Sequence, residues 1–245
     1  MGELSGKVAI VTGSSSGIGE STARRLADLG AHVVVNSSTS VEAGKNVAVS
    51  LATKGAYVQA DISDQAQGKK LIDETIDIFG RLDILVNNAG WTTLVPHGDL
   101  DGLTDEIFDK TFKVNVYGTW WLTKSAVPHL KQSDDGNVVN ITSIAGVRPV
   151  GSSMAYAMTK AALNHMTVLM AKSFGPIRFN AVAPGLVQTP WTQDWGVMHD
   201  FVSKASPLKR SAYASDCSEA VLGIVRNPHM TGQVLVIDGG FTLVS

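Results

Sequence analysis

Seven short runs rich in valine and isoleucine constrain the fold of this 245-residue chain more than any other feature. Their apolar residues follow one another without alternation, which is typical of strands buried on both faces of a parallel sheet. The runs begin at Lys7, Ala31, Ala56, Asp83, Asn137, Ile177 and Gln233. Segments with helical spacing separate them. The pattern predicts one domain over residues 1–245, of the α/β class, with a doubly wound parallel seven-stranded sheet and helices on both faces.

The helical segments carry residues that commonly begin and end helices. "ESTARRLADLG" ends at Gly30 and "SDQAQGKKLIDETIDIFG" ends at Gly80, and glycine suits the position after a helix. Ser63 and Asp64 are candidate N-caps of the second segment. The stretch "DKTFKVNVYGTWWL", which contains Asn115, is interpreted as a single helix.

Composition excludes several classes of protein. The chain has 20 Lys and Arg against 22 Asp and Glu, a net charge of −2, so it has no basic field for nucleic acid. Its apolar runs are of strand length, too short to span a bilayer, and its N-terminal residues do not resemble a signal peptide. Cys217 is the single cysteine, which fits a reducing compartment. A soluble, cytoplasmic protein without nucleic-acid or membrane partners is expected.

A glycine-rich turn follows the first predicted strand and opens into a helix. Its sequence "TGSSSGIG" places Gly13, Gly17 and Gly19 where a backbone can turn tightly and approach a phosphate group. The following helix would present unpaired N–H groups and a positive dipole end to that phosphate. A tight strand-to-helix connection is the alternative, but the position in the first strand–helix unit favours nucleotide binding.

Tyr156 and Lys160 lie four residues apart on a predicted helix rich in small and apolar residues. Residues at this spacing share one helix face, so a phenol would lie beside an ammonium group. Taken alone, the pair could be a half-buried tyrosine and a lysine that extends to solvent. The rest of the chain has to decide between this interpretation and a functional one.

Six motifs in order make the chain resemble the short-chain dehydrogenase/reductases between Lys7 and Gly240. They are TGxxxGIG at Thr12–Gly19, NNAG at Asn87–Gly90, the asparagine of NVYG at Asn115, the serine of ITS at Ser143, YxxxK at Tyr156–Lys160 and the Pro184–Gly185 pair. The resemblance implies a Rossmann-type fold. It also implies an enzyme that transfers hydride between a nicotinamide dinucleotide and a carbonyl or secondary alcohol.

The resemblance assigns catalytic roles to four residues. Tyr156 would be the general acid/base, and Ser143 would polarise the substrate oxygen. Lys160 would bind the nicotinamide ribose and, together with the oxidised nicotinamide, lower the tyrosine pKa from its ordinary value of roughly 10. Asn115 would help to hold a water molecule that extends the proton relay from Lys160. A metal ion finds no support in the six scattered histidines.

The same resemblance assigns the coenzyme contacts. The phosphates would meet the glycine-rich turn, the adenosine would lie against the ends of the second to fourth strands, and the nicotinamide would lie beside the catalytic pair and the segment after strand six. The residues concerned are Gly13, Ser15, Ser16, Gly17, Ile18, Gly19, Ser37, Asp61, Ile62, Asn88, Ala89, Gly90, Tyr156, Lys160, Pro184, Gly185, Val187 and Thr189.

The end of the second strand predicts NADP(H) over NAD(H). Enzymes that prefer NAD(H) usually place a carboxylate there to bind the adenosine ribose. This chain has Ser37 at that position, and no carboxylate follows until Glu42. Small hydroxyl side chains leave room for a 2′-phosphate, although no arginine is present to bind it. Lys45 could reach the phosphate or could be a solvated helix lysine.

The substrate side leaves alternatives open. Trp91, Trp191 and Trp195 could form an apolar pocket for a cyclic substrate or could anchor loops against the core. A substrate lid is expected at about residues 187–212. Trp120 and Trp121 are core or subunit-interface residues. The family's habit predicts a homotetramer or homodimer, formed through the helices that contain Asn115 and Tyr156 and through the last strand.

Two rival functions compete with the reductase. Nucleotide-sugar epimerases and dehydratases also carry YxxxK, but they need a larger carboxyl-terminal substrate domain and a differently spaced glycine turn. A catalytically inactive dinucleotide sensor could use the same fold, since fold alone does not fix function. Such sensors usually lose part of the catalytic set, which is complete in this chain.

Overall fold

The computed structural model of the protein describes residues 2–244 and is built around a parallel sheet. The strands are β1 (Val8–Val11), β2 (His32–Ser37), β3 (Gly55–Gln59), β4 (Ile84–Asn87), β5 (Asn137–Ile141), β6 (Arg178–Pro184), β7 (Val187–Gln188), β8 (Ala212–Tyr213) and β9 (Val234–Ile237). Seven of them form the sheet in the order β3-β2-β1-β4-β5-β6-β9. The predicted doubly wound, Rossmann-type α/β fold is confirmed.

Eight α-helices connect these strands. They are α1 (Gly17–Asp28), α2 (Val41–Val49), α3 (Gln65–Phe79), α4 (Asp105–Phe112), α5 (Thr119–Leu130), α6 (Met154–Ser173), α7 (Gly196–Ala205) and α8 (Ala214–Arg226). Within residues 2–244, no helix is long and apolar enough to cross a membrane.

Successive residues of the central strands face opposite cores, which explains their uninterrupted apolar sequence. In β1, Ala9 and Val11 pack in a core that includes residues of α1, α2 and α8. Ile10, between them, packs in the second core with residues of α3, α5 and α6. Because both faces of the sheet are covered, every position of the strand is buried.

Helix α3 begins and ends at residues that the sequence predicts. The Asp64 carboxylate caps α3 by accepting hydrogen bonds from the N–H groups of Ala66 and Gln67, at 2.8 and 3.1 Å. Gly80 ends the same helix with a left-handed φ angle of 76°, a conformation that glycine adopts without strain. Asp64, rather than Ser63, is the N-cap.

The helix predicted around Asn115 contains a π-helical turn in the structure. A π-helical segment, Lys113–Gly118, separates α4 from α5. The wider turn accompanies hydrogen bonds between the Asn115 side chain and the backbone of Trp91, 24 positions away in sequence. Asn115 therefore lies on a helix as predicted, but the π-helical turn was not predicted, because a long-range contact of one side chain is absent from any local pattern.

The expected lid region contains two short strands that the sequence does not predict. β7 and β8 pair in parallel, outside the main sheet, through Val187 with Ala212 and Gln188 with Tyr213. Each has two residues, too few for a periodic pattern. Their pairing brings together the two ends of the segment that includes α7.

Candidate active site

The glycine-rich turn between β1 and α1 lines a cavity of about 790 Å³ at the carboxyl ends of the strands. Gly13 and Gly17 have φ angles of 61° and 59°, which residues with a Cβ rarely adopt. A Cβ at Gly19 would collide with the carbonyl oxygen of Gly13 and the side-chain amide of Asn88. The turn therefore presents the N-terminal end of α1, with its partial positive charge, to the cavity.

Asn36 fixes this turn to the second strand. Its backbone N–H donates to the Ser14 hydroxyl at 3.0 Å, and the Ser14 N–H donates to the Asn36 carbonyl oxygen at 2.8 Å. The Asn36 side-chain amide donates to the carbonyl oxygens of Val58 and Ala60, both at 3.1 Å. The sequence-based prediction did not assign Asn36 a role, since these partners meet only in the folded sheet.

Asn88 joins the turn to the end of β4. Its side-chain amide donates to the carbonyl oxygens of Thr12 and Gly13, at 2.8 and 3.1 Å. The Thr12 hydroxyl in turn accepts hydrogen bonds from the backbone N–H groups of Asn88 and Ala89, both at 3.0 Å. The glycine-rich turn and the end of β4 thus share one hydrogen-bond network.

Tyr156 and Lys160 lie on α6, with both side chains on the cavity wall. The hydroxyl of Ser153 accepts a hydrogen bond from the Tyr156 N–H at 3.2 Å and caps the helix. The Lys160 Nζ atom lies 5.4 Å from the centroid of the Tyr156 ring and donates to the Ile141 carbonyl oxygen at 2.9 Å. Lys160 is 3% exposed, so it does not extend to solvent.

Ser143 follows the end of β5 and also lines the cavity. It is the N-cap of a short 3₁₀ turn, Ile144–Gly146, and its hydroxyl accepts a hydrogen bond from the Ala145 N–H at 3.1 Å. The same hydroxyl lies close enough to the phenol of Tyr156 to favour its ionised form. Ser143 and Tyr156 therefore converge on one point of the cavity, where a substrate oxygen could bind both.

Asn115 is buried behind this group rather than in the cavity wall. Its side-chain oxygen accepts from the Trp91 N–H at 2.7 Å, and its amide donates to the Trp91 carbonyl oxygen at 3.0 Å and the Thr159 hydroxyl at 3.1 Å. Thr159 donates to the Tyr156 carbonyl oxygen at 2.7 Å. The side chain of Asn115 thus positions Trp91 and α6, and the predicted water contact stays a prediction.

Burial shifts the pKa values of Tyr156 and Lys160. It raises the pKa of Tyr156 to about 12, while the interaction with Ser143 acts in the opposite direction. Burial lowers the pKa of Lys160 to about 8. Without a coenzyme, loss of hydration outweighs the effect of Ser143 on the tyrosine pKa. The expected lowering of that pKa by Lys160 together with the oxidised nicotinamide stays a prediction.

The cavity accommodates the predicted coenzyme contacts along its whole length. All residues of the predicted set except Gly19 line it: Gly13, Ser15, Ser16, Gly17, Ile18, Ser37, Asp61, Ile62, Asn88, Ala89, Gly90, Tyr156, Lys160, Pro184, Gly185, Val187 and Thr189. Gly19 instead permits the close contact of α1 with the turn. The positive φ angles of the turn and the open helix end fit a pyrophosphate, so the residues present suit a dinucleotide.

The three tryptophans in question line the other end of the cavity. Trp91, Trp191 and Trp195 lie on its wall, and the structure adds aromatic and apolar residues that the sequence did not single out. These additional residues are Val150, Leu186, Met198, Phe201 and Phe241. Lys110, also unpredicted, lines the cavity with its Nζ atom 4.3 Å from the centroid of the Trp91 ring. Only the folding of separate segments brings these residues together.

The chain is similar to known proteins in both sequence and fold. A family model described as enoyl-(acyl carrier protein) reductase matches residues 13–242. A protein of Streptomyces violaceoruber, named as ketoacyl reductase 2 of the granaticin polyketide synthase, is 48% identical over 97% of this chain and 96% of its own length.

Solved structures of this family have the same fold. A Burkholderia cenocepacia short-chain dehydrogenase in complex with NADP has a TM-score of 0.90 and 33% identity, over 98% of this chain and 99% of that one. A Brucella melitensis 3-ketoacyl-(acyl-carrier-protein) reductase complexed with NADH has a TM-score of 0.91 and 31% identity, over 98% of this chain and 100% of that one. The chain belongs to the short-chain dehydrogenase/reductase family of oxidoreductases.

Proposed function

We propose that this chain reduces a ketone carbonyl of an apolar, cyclic substrate with NADPH, and that Tyr156 is the proton donor. The observation that carries the proposal is the convergence of Tyr156, Ser143 and Lys160 on one wall of the cavity that the glycine-rich turn also lines. When bound, the reduced nicotinamide supplies the hydride. The complete catalytic set argues against an inactive dinucleotide sensor.

The protonation of Tyr156 allows it to act as the acid in the direction of reduction. A phenol with a pKa of about 12 holds its proton at neutral pH and can donate it to an oxygen that gains negative charge. The Ser143 hydroxyl lies beside it and can donate a second hydrogen bond to the same oxygen. Together they would polarise a carbonyl group and stabilise the developing alkoxide.

Lys160 supports two tasks. Its ammonium group has three donors, of which the Ile141 carbonyl oxygen accepts one. The remaining donors can bind the ribose hydroxyls of the nicotinamide nucleotide. The position beside the Tyr156 ring also places a positive charge near the phenol, which favours the phenolate left after proton donation.

Aromatic walls support an apolar, cyclic substrate. The cavity wall near Trp91 and the 187–212 segment is largely aromatic and apolar, which suits a flat ring system. The relative named as a polyketide ketoacyl reductase supports a ketone derived from an acyl chain. Loss of NADPH absorbance with 2-tetralone as substrate tests the proposal. Tight NADPH binding without turnover of any ketone would favour the sensor.

Four consecutive hydroxyl residues support NADP(H) as the coenzyme. Ser37, Ser38, Thr39 and Ser40 line the cavity after β2. The Ser37 hydroxyl is hydrogen-bonded to the Tyr57 hydroxyl at 2.8 Å, so the other three are freer to meet a 2′-phosphate.

The nearest charged residues on α2 are engaged with each other. The exposed Lys45 is paired with Glu42 at 3.0 Å and neither lines the cavity, which supports the interpretation of Lys45 as a solvated helix lysine. The preference for NADP(H) is therefore expected to be modest, since no arginine binds the phosphate.

Ser37→Asp is expected to turn the coenzyme preference toward NAD(H). The new carboxylate would repel a 2′-phosphate and accept hydrogen bonds from a free ribose hydroxyl. The measurement compares kcat/KM for NADPH and NADH in the wild type and the variant. Ala52→Asp, which adds the same charge at an exposed position outside the cavity, should keep the wild-type ratio. A wild-type preference for NADH would refute the proposed coenzyme choice.

We also propose that residues 187–212 act as the substrate lid. The segment contains β7, α7 and β8 and contributes Trp191, Trp195, Met198 and Phe201 to the cavity wall. The His199 ring is hydrogen-bonded to the Ser211 hydroxyl at 2.8 Å and to Thr192 at 3.2 Å. These contacts hold the two ends of the segment together, so that it can move as one unit.

The protein is expected to assemble as a homotetramer or homodimer. Large apolar side chains are exposed on α5, α6 and the edge strand β9, including Trp120, Met158, Leu169, Leu235 and Val236 at 37–51% exposure. Burying such surface between copies is favourable. Light scattering at micromolar concentration should give a dimer or tetramer, and Leu169→Glu should shift the mass downward. A wild-type monomer would contradict this assembly.

A further inference from the structure

Lys110 is a charged residue of the cavity wall that the proposed mechanism does not use. It lies on α4 and lines the cavity, as Trp91 does. Its Nζ atom stands 4.3 Å from the centroid of the Trp91 ring. Because the Trp91 backbone is hydrogen-bonded to Asn115, this ammonium group lies at the catalytic end of the cavity.

Within the part of the chain that the structure describes, Lys110 is exposed at the cavity wall and is unpaired although a partner of opposite charge is available on its own helix. Glu106 lies four residues earlier, the spacing at which Lys69 and Asp73 form an ion pair on α3. The Glu106 carboxylate instead interacts with the Thr104 side chain, which lowers the pKa of Glu106. Among residues 2–244, no carboxylate oxygen lies within 4.0 Å of the Lys110 Nζ atom. Its charge therefore remains available to a ligand.

The other charged residues of the cavity wall have contacts or proposed functions of their own. Asp61 follows β3, on the side proposed for the adenosine. Lys160 is buried and donates to the Ile141 carbonyl oxygen, beside Tyr156. Lys110 is thus the cation that an anionic group on the substrate can meet. An ammonium held against an indole ring also favours a flat substrate whose edge carries the negative charge.

We propose that Lys110, held over Trp91, selects ketones that carry a carboxylate on an aromatic ring remote from the carbonyl. The inference rests on the proposed ketone-reductase function and names the substrate class of that site. The carboxylate would form a charge-assisted hydrogen bond with the Lys110 ammonium group. The ring would lie between that group and the oxygen-binding pair, Ser143 and Tyr156.

The test compares 2-tetralone with its carboxylates, which carry the acid group at each aromatic ring position. The best carboxylate should exceed 2-tetralone by about tenfold in kcat/KM, chiefly through a lower KM, as one charged hydrogen bond supplies. Lys110→Met should bring this ratio close to one, and Lys110→Arg should retain much of it. Lys113→Met, at an exposed position outside the cavity, should keep the wild-type ratio.

Equal kcat/KM for all these ketones, or an unchanged ratio in Lys110→Met, would overturn the inference while the reductase function stands. If no ketone is reduced, the proposed function fails. The inference about Lys110 is then tested by ligand binding instead of turnover. Calorimetry with 2-naphthoate and 2-naphthamide, in the presence of NADP, would then measure the preference for the carboxylate directly. A preference that Lys110→Met abolishes would support the inference, and equal affinities would overturn it.

Discussion

Tyr156→Phe is expected to lower kcat for ketone reduction by about 10²–10⁴-fold, the usual contribution of a positioned general acid. Only the phenolic hydroxyl group is lost, because phenylalanine keeps the ring that packs on the cavity wall beside Lys160. Affinity for NADPH should stay within about twofold of the wild type, since the glycine-rich turn is untouched. Steady-state rates and a fluorescence titration with NADPH measure the two quantities.

Tyr117→Phe is the matched control. It removes the same atom from a tyrosine that is 51% exposed and does not line the cavity, so turnover should remain at the wild-type value. If Tyr156→Phe kept turnover within about tenfold of the wild type, another group would have to donate the proton.

Lys160→Met is expected to lower both turnover and NADPH affinity. The substitution removes the donors proposed for the nicotinamide ribose and the ammonium beside Tyr156, while a side chain of similar length fills the space. The loss in coenzyme affinity should be about tenfold, as expected for one or two hydrogen bonds. Lys124→Met, at an exposed position of α5, should change neither quantity.

The same substitution should make the folded protein more stable. Burial lowers the pKa of Lys160 from 10.5 to about 8, so between those values the unfolded chain binds more protons and the contribution of this residue to stability rises with pH. At neutral pH the buried ammonium therefore costs up to about 3 kcal/mol. Loss of the hydrogen bond to Ile141 offsets about 1 kcal/mol of the gain.

Denaturant unfolding at neutral pH should then show Lys160→Met to be about 2 kcal/mol more stable than the wild type. Above the pKa of Lys160 in the folded protein, the stability advantage of the variant should shrink, because the wild-type lysine becomes neutral. Wild-type NADPH affinity in the variant would contradict the ribose contact. A variant less stable than the wild type would contradict the cost of burying the ammonium.

Much of the fold could be predicted because the uninterrupted apolar sequence of each central strand indicates that both of its faces are buried. Ile10 and Val11 face different cores, and the uninterrupted apolar run records that both faces are covered. The helix ends at Asp64 and Gly80 depend on local hydrogen bonds and on one φ angle, so a short motif suffices. Elements whose causes are local were predicted correctly.

The features that the sequence missed depend on contacts between distant segments. The π-helical segment around Asn115 forms with hydrogen bonds to Trp91, and β7 and β8 exist only as a pair. Asn36 fixes the glycine-rich turn through carbonyl groups of β3 and the residue that follows it. The pKa of Tyr156 reflects how deeply α6 is buried, which a motif does not record.

Transfer of deuterium from NADPH labelled at the reactive position of the nicotinamide tests the central claim most directly. The wild-type protein, incubated with labelled NADPH and 2-tetralone, should give an alcohol that carries one deuterium on its carbinol carbon, as read by mass spectrometry. Tyr156→Phe should give little alcohol in the same time. Absence of alcohol from the wild type, or an unlabelled alcohol, would contradict the assignment of this chain as a nicotinamide-dependent ketone reductase.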